Sequence, residues 1–117
     1  MLLKDKYKQI LVDIFAGLSV PVEVWAYGSR VDGTAHEGSD LDSVVFALDG
    51  KKLPIELLME LKEKIRGSNI PILVELFDLN RLPESFRKNI ADSHETLYHP
   101  ALTLAKEPES EYRKENK

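Results

Sequence analysis

The chain has 117 residues, 43% hydrophobic and 31% charged, with a formal net charge of -4 and no Cys. That length supports one domain with a single core, and the lack of Cys excludes disulfides, thiol catalysis and Cys-based metal sites, leaving oxygen atoms as the main ligands for any metal. A mildly acidic balance argues against gripping a nucleic-acid backbone, so direct nucleic-acid binding is not expected. No apolar run approaches the ~20 residues of a membrane span, and charges interrupt the amino-terminal MLLKDKYKQI, so no membrane association and a cytoplasmic location are expected.

Tyr7, Ile10, Leu11, Ile14, Phe15 and Leu18 recur at spacings of three and four, which predicts an amphipathic helix ending around Gly17 and Pro21. The β-branched and aromatic run VEVWAY predicts a strand at Val22–Tyr27, stopped by Gly28. Residues 30–39, RVDGTAHEGS, predict a polar loop with a short helical turn beginning near Ser29, whose N–H groups would face an anion. Arg30 has two open roles: adding positive charge near phosphates, or pairing on the surface with Asp32 or Glu37. His36 and Glu37 read as solvated loop residues.

Residues 41–48 predict a second strand, and Asp49-Gly50 a turn. Pro54 suits a helix start, with Leu57, Leu58, Leu61 and Ile65 buried, Glu56, Glu60, Lys62, Glu63 and Lys64 solvated, and Gly67 at the end. Residues 72–77 predict a third strand in which Ile72, Val74 and Leu76 share one face and Leu73, Glu75 and Phe77 the other. A carboxylate in the middle of an apolar strand either faces solvent on an edge or takes part in chemistry. Asp78, at the strand end, fits a turn or capping role. Leu82, Phe86 and Ile90 predict a last amphipathic helix with Pro83 near its start and Arg87 and Lys88 exposed, followed by a short strand at residues 96–98. Residues 1–100 form the expected domain, and the charged residues 101–117 a flexible tail. The pattern as a whole predicts an α/β fold, a small mixed sheet of three or four strands with flanking helices.

Residues 25–46, WAYGSRVDGTAHEGSDLDSVVF, hold the chemistry. Asp40 and Asp42 project to one side at the entry of the second strand, so two like charges share a small volume, and either one is protonated or a divalent cation sits between them. Gly28 allows close approach of a phosphate, and Ser29 adds a hydroxyl. Gly28-Ser29, ten residues, then Asp40-x-Asp42 resembles the GSx10DxD signature of nucleotidyltransferases with a polymerase β-like palm, and the short chain resembles the minimal nucleotidyltransferases, MNT, that act as antitoxins beside HEPN toxins.

The resemblance implies a polymerase β-like palm and transfer of a nucleoside monophosphate from a triphosphate, ATP by expectation, to a tyrosine hydroxyl of a HEPN ribonuclease toxin. It further implies one or two Mg2+ held by Asp40, Asp42 and Glu75, with Gly28, Ser29, Arg30 and Ser39 at the nucleotide. Val74-Glu75-Leu76-Phe77-Asp78 matches the family's V-D-L-V-D strand with Glu in place of the first Asp. Two alternatives stay open: an antitoxin that neutralises by binding alone, and a transferase acting on a small molecule or RNA end with another helper subunit.

Overall fold

A computed structural model describes residues 2–36 and 38–101. The expected tail and its boundary lie almost wholly outside the described residues. The element order is α1 (Asp5–Ala16), β1 (Val22–Tyr27), short α2 (Ser29–Asp32), β2 (Leu41–Ala47), α3 (Ile55–Arg66), β3 (Val74–Asp78), a 3-10 turn (Leu79–Arg81), α4 (Glu84–Asp92) and β4 (Glu95–Tyr98). The strands form one mixed sheet in the order β3-β2-β1-β4. β1 runs antiparallel to β2 and β4, while β2 and β3 run parallel. A parallel pair needs a crossover, and α3 supplies it.

Strand alternation separates the two sheet faces. Val22, Val24 and Ala26 of β1, Leu41 and Val45 of β2 and Leu76 of β3 are buried with Leu11 and Phe15 of α1 and Leu58, Leu61 and Ile65 of α3. Full burial of each large aliphatic side chain contributes about 1.5–3 kcal/mol, so this layer supplies most of the fold's cohesion. The other face carries a smaller cluster, in which Val44, Leu79 and Ile90 are buried and Trp25, Tyr27, Phe46 and Leu82 pack around them. α4 thus covers part of that face and leaves the entry of β2 uncovered by this cluster.

β3 begins two residues later than the sequence pattern predicts. Its partner β2 starts at Leu41, whose N–H bonds to the Leu73 carbonyl, so ladder pairing begins only at Val74. The predicted faces hold: Leu76 is buried, while Leu73 and Phe77 are 59% and 41% exposed. α4 departs from expectation. It meets the sheet through Ile90 in its second half, and Phe86 in its first turn stays exposed. Arg87, expected on the surface, is partly buried, and its Nε has no hydrogen-bond partner.

Asp78 closes β3 by facing the core side. It is 2% exposed and accepts hydrogen bonds from the Leu53 N–H at 2.8 Å and the Asn80 N–H at 3.0 Å, with Arg81 Nε at 3.3 Å. It caps the 3-10 turn and ties the loop before α3 to the strand end. Asp78→Ala leaves the buried Leu53 donor unsatisfied and is expected to lower stability by roughly 1–3 kcal/mol. Urea unfolding checks this, and an unchanged midpoint would show that the loop does not depend on this carboxylate.

Candidate nucleotide-transfer site

The site forms where three strands align. Tyr27 of β1 pairs with Asp42 of β2, and Asp42 pairs with Glu75 of β3. Residues opposite each other in neighbouring strands share a face, so these three side chains stand in one row on the face away from the main core. Asp40, two residues before Asp42, precedes the row. Burial first, and then the Asp40 charge, hold the Asp42 carboxyl above its ordinary range. The Tyr27 phenol is also raised, by burial first and then by the charges of Asp42 and Glu75. The electrostatic coupling places all four residues in one neighbourhood.

Gly28 joins β1 to this row. Its φ is 82°, a conformation that L side chains rarely adopt, and a Cβ there would lie 2.6 Å from Asp42 Oδ2. Glycine is therefore favoured by the backbone conformation, and a Cβ there would oblige the Asp42 carboxylate to turn aside. The predicted helical turn is present as α2: the Gly28 carbonyl accepts from the Val31 and Asp32 N–H groups. The first N–H groups of such a turn, that of Ser29 among them, have no intrahelical acceptor.

Arg30 serves the loop. It is 5% exposed; its Nε and one terminal nitrogen donate to the Ser39 carbonyl at 2.9 and 2.7 Å, and its other terminal nitrogen donates to the Leu2 carbonyl. The Leu2 N–H returns a bond to the Arg30 carbonyl. The guanidinium thus joins the two ends of the polar loop and fastens the amino-terminal segment beside them. Of the two surface partners considered for it, Asp32 accepts from the Thr34 N–H and hydroxyl, and Glu37 lies outside the described residues. Ser39 Oγ accepts from the His36 N–H, so this side chain too helps to order the loop.

The row offers hard oxygen donors, the ligand type that divalent cations of the magnesium class take. Asp40 and Asp42 form the close pair, and Glu75 stands beside Asp42 on the next strand. Among the described residues no group of three acidic, imidazole or thiol side chains converges as an ion-holding cluster. A divalent cation held here would take only part of its coordination shell from these carboxylates. Tyr27 is the member that sequence reasoning missed; its position directly before Gly28 carries little signal until the β1–β2 register is known.

An open row of carboxylates next to a glycine turn, on a mixed sheet with this strand order, defines a nucleotidyltransferase palm. The family described as "Polymerase beta, Nucleotidyltransferase" matches residues 9–101, and the chain belongs to it. Enzymes of this family generally use a divalent metal. The chain is 31% identical over 106 residues to the "Probable protein adenylyltransferase MntA" of Haemophilus influenzae, covering 89% of this chain and 90% of that one. Its fold matches a crystal structure of a toxin-antitoxin with AMP-PNP at a TM-score of 0.63, with 19% identity and 85% of each chain covered. It also matches a structure of the tri-AMPylated Shewanella oneidensis HEPN toxin in complex with MNT antitoxin, with a TM-score of 0.62, 15% identity and coverage of 88% of this chain and 78% of that one.

The contact between residues 28 and 42 has a direct test. Gly28→Ala is expected to cost roughly 1–3 kcal/mol from its backbone conformation, φ 82° and ψ -153°, with the displaced Asp42 carboxylate adding to the loss. In the Gly28→Ala background, Asp42→Ala should restore part of the lost stability. A double-mutant cycle by thermal or urea unfolding measures the coupling, and strict additivity would show that the two positions do not touch.

Proposed function

We propose that this nucleotidyltransferase moves AMP from ATP to a tyrosine hydroxyl of a HEPN-domain toxin and acts as its antitoxin. The observation that carries the proposal is the in-register pair Asp42 and Glu75 beside Gly28, because it sets a cation-binding carboxylate next to a second carboxylate on the neighbouring strand. The similarity to a protein adenylyltransferase supports the choice of a protein acceptor and of adenylate.

Asp40, Asp42 and Glu75 would hold Mg2+, one ion or two, in this reading. The metal would supply charge neutralisation at the phosphates and at the leaving group. Gly28 and Ser29 seat the phosphates through backbone and hydroxyl donors. Ser39 shapes the loop and offers its own O–H. Glu75 accepts the proton of the tyrosine hydroxyl as the oxygen attacks the α-phosphorus. The new bond is O–Pα, the broken one joins Pα to the bridging oxygen, and pyrophosphate leaves. The adenylated tyrosine then carries bulk and negative charge, which repels RNA. The reading places this reaction in the cytoplasm, where ATP and an RNA-directed toxin would meet.

One observation favours the rival in which neutralisation is by binding alone: no three ligand side chains converge among the described residues. Mass spectrometry of the HEPN protein after co-expression separates the two readings. An added adenylate mass supports transfer, and tight binding without a mass change supports the rival.

The roles divide among the variants as follows. Asp40→Asn with Asp42→Asn should abolish transfer while leaving stability unchanged or slightly raised, since the two like charges no longer oppose each other. Glu75→Gln should slow transfer by ~10² to 10⁴, the range for a lost general base, with Mg-ATP affinity largely kept. Asp78→Asn should lower stability and keep the chemistry. An active Glu75→Gln together with a folded but inactive Asp78→Asn would move the third carboxylate to the other sheet face and overturn the assignment.

A further inference from the structure

Four of the seven exposed large hydrophobic residues among those described lie on α3 and along β3: Ile55 and Met59 of α3, 50% and 55% exposed, Leu73 just before β3 and Phe77 within it. Ile55, Met59 and Lys62 follow one another at helical spacings of four and three, so they form one stripe along α3. Lys62, expected as a solvated residue, is instead partly buried, with its ammonium 6.0 Å from the centre of the Phe77 ring, which joins the stripe to the strand.

Between α3 and β3 runs a groove of about 350 Å3 whose lining includes Lys62, Arg66, Leu73, Glu75 and Phe77. Among the described residues β3 is also the sheet edge, paired with β2 alone. The Leu73 carbonyl is bonded to Leu41 and the Glu75 carbonyl to Ser43 Oγ at 2.7 Å. By strand alternation, the N–H and C=O groups of Val74 and Leu76 point outward.

We infer that this flank docks the acceptor protein, which lays an extended segment along the outer edge of β3 and so brings its hydroxyl to Glu75. The inference rests on the proposed protein acceptor and deepens it. The occupant follows from position: Glu75, the proton acceptor of the proposed reaction, is among the residues lining the groove, and an acceptor must come within hydrogen-bond reach of its carboxylate. Leu73 and Phe77 flank Glu75 at two residues on either side on the same face, so the docked segment needs apolar side chains around its tyrosine. The cation Lys62 on the α3 wall favours a carboxylate on that segment, whereas Arg66 is already paired with Glu63 at 2.5 Å. Strand addition to an unpaired edge supplies main-chain bonds, while flanking pockets give selectivity.

The test compares the wild-type chain with Phe77→Ser, Leu73→Ser and Lys62→Glu, using a purified HEPN-domain protein as acceptor and Mg-ATP as donor. Each variant is expected to raise the KM for the HEPN protein by roughly tenfold or more, as removal of a central interface anchor does. Mg-ATP affinity should stay within about twofold, as for sites without shared contacts. Leu48→Ser, at a residue 47% exposed outside this flank, serves as the control and should change neither value. Hydrogen exchange at the Val74 and Leu76 amides should slow when the HEPN protein binds.

Unchanged KM and unchanged exchange would overturn the docking flank while leaving the transfer reading intact. If wild-type protein transfers nothing, equilibrium binding of the same HEPN protein decides: weakened binding by Phe77→Ser supports the flank, and equal binding overturns it. A Phe77→Ser change that only converts a dimer of this chain to a monomer would assign the flank to self-association and overturn the proposal.

Discussion

Two carboxylates that repel each other stay side by side only if the frame holding them is stiffer than their repulsion. Here Asp42 is fixed in β2, between β1 and β3, and Gly28 lies so close that a Cβ would press on its carboxylate. Burial first, and then the Asp40 charge, raise the Asp42 carboxyl, and that is the cost of its placement. The two-faced sheet meets that cost, because the alternation that turns Leu41, Ser43 and Val45 inward turns Asp42 outward. Core packing and placement of the charged row are one act of folding.

The polar loop is the other half of the frame. Ten residues separate Ser29 from Asp40, enough for many loop shapes. Buried Arg30 narrows them by donating to carbonyls at Ser39 and Leu2, and a planar guanidinium with several fixed donors suits that task better than an ammonium. The amino-terminal segment is thereby coupled to the entry of β2. Stability of the site and order of the chain's beginning are linked through one side chain.

Much of this was legible in the sequence because it follows from period and punctuation. β1 lies where its β-branched run and Gly28 put it, and the mid-strand anomaly at Glu75 and the end position of Asp78 fixed their opposite faces before any register was known. Long-range partners were not legible. The start of β3 depends on where β2 begins, the burial of Arg30 depends on two carbonyls far from it in sequence, and Tyr27 joins the row only through pairing across the loop. Phe86 shows the limit of helical periodicity: the stripe was read correctly as a repeat, but α4 meets the sheet along only part of its length. Local rules state which face a residue takes, while tertiary contacts decide whether anything covers it.

The position of Glu75 on an edge strand has a kinetic meaning. β1 and β2 each have strand neighbours on both sides, whereas β3 has only one and depends on Asp78 to secure its far end. Edge elements open locally at lower free energy than central ones. A brief detachment of β3 would carry Glu75 away and leave Gly28, Asp40 and Asp42 assembled, so that, with the roles proposed above, the molecule would alternate between a state that holds nucleotide and one that can also act on it. A partner seated against that strand would then be its own licence for turnover, since its arrival would stabilise the element that completes the site.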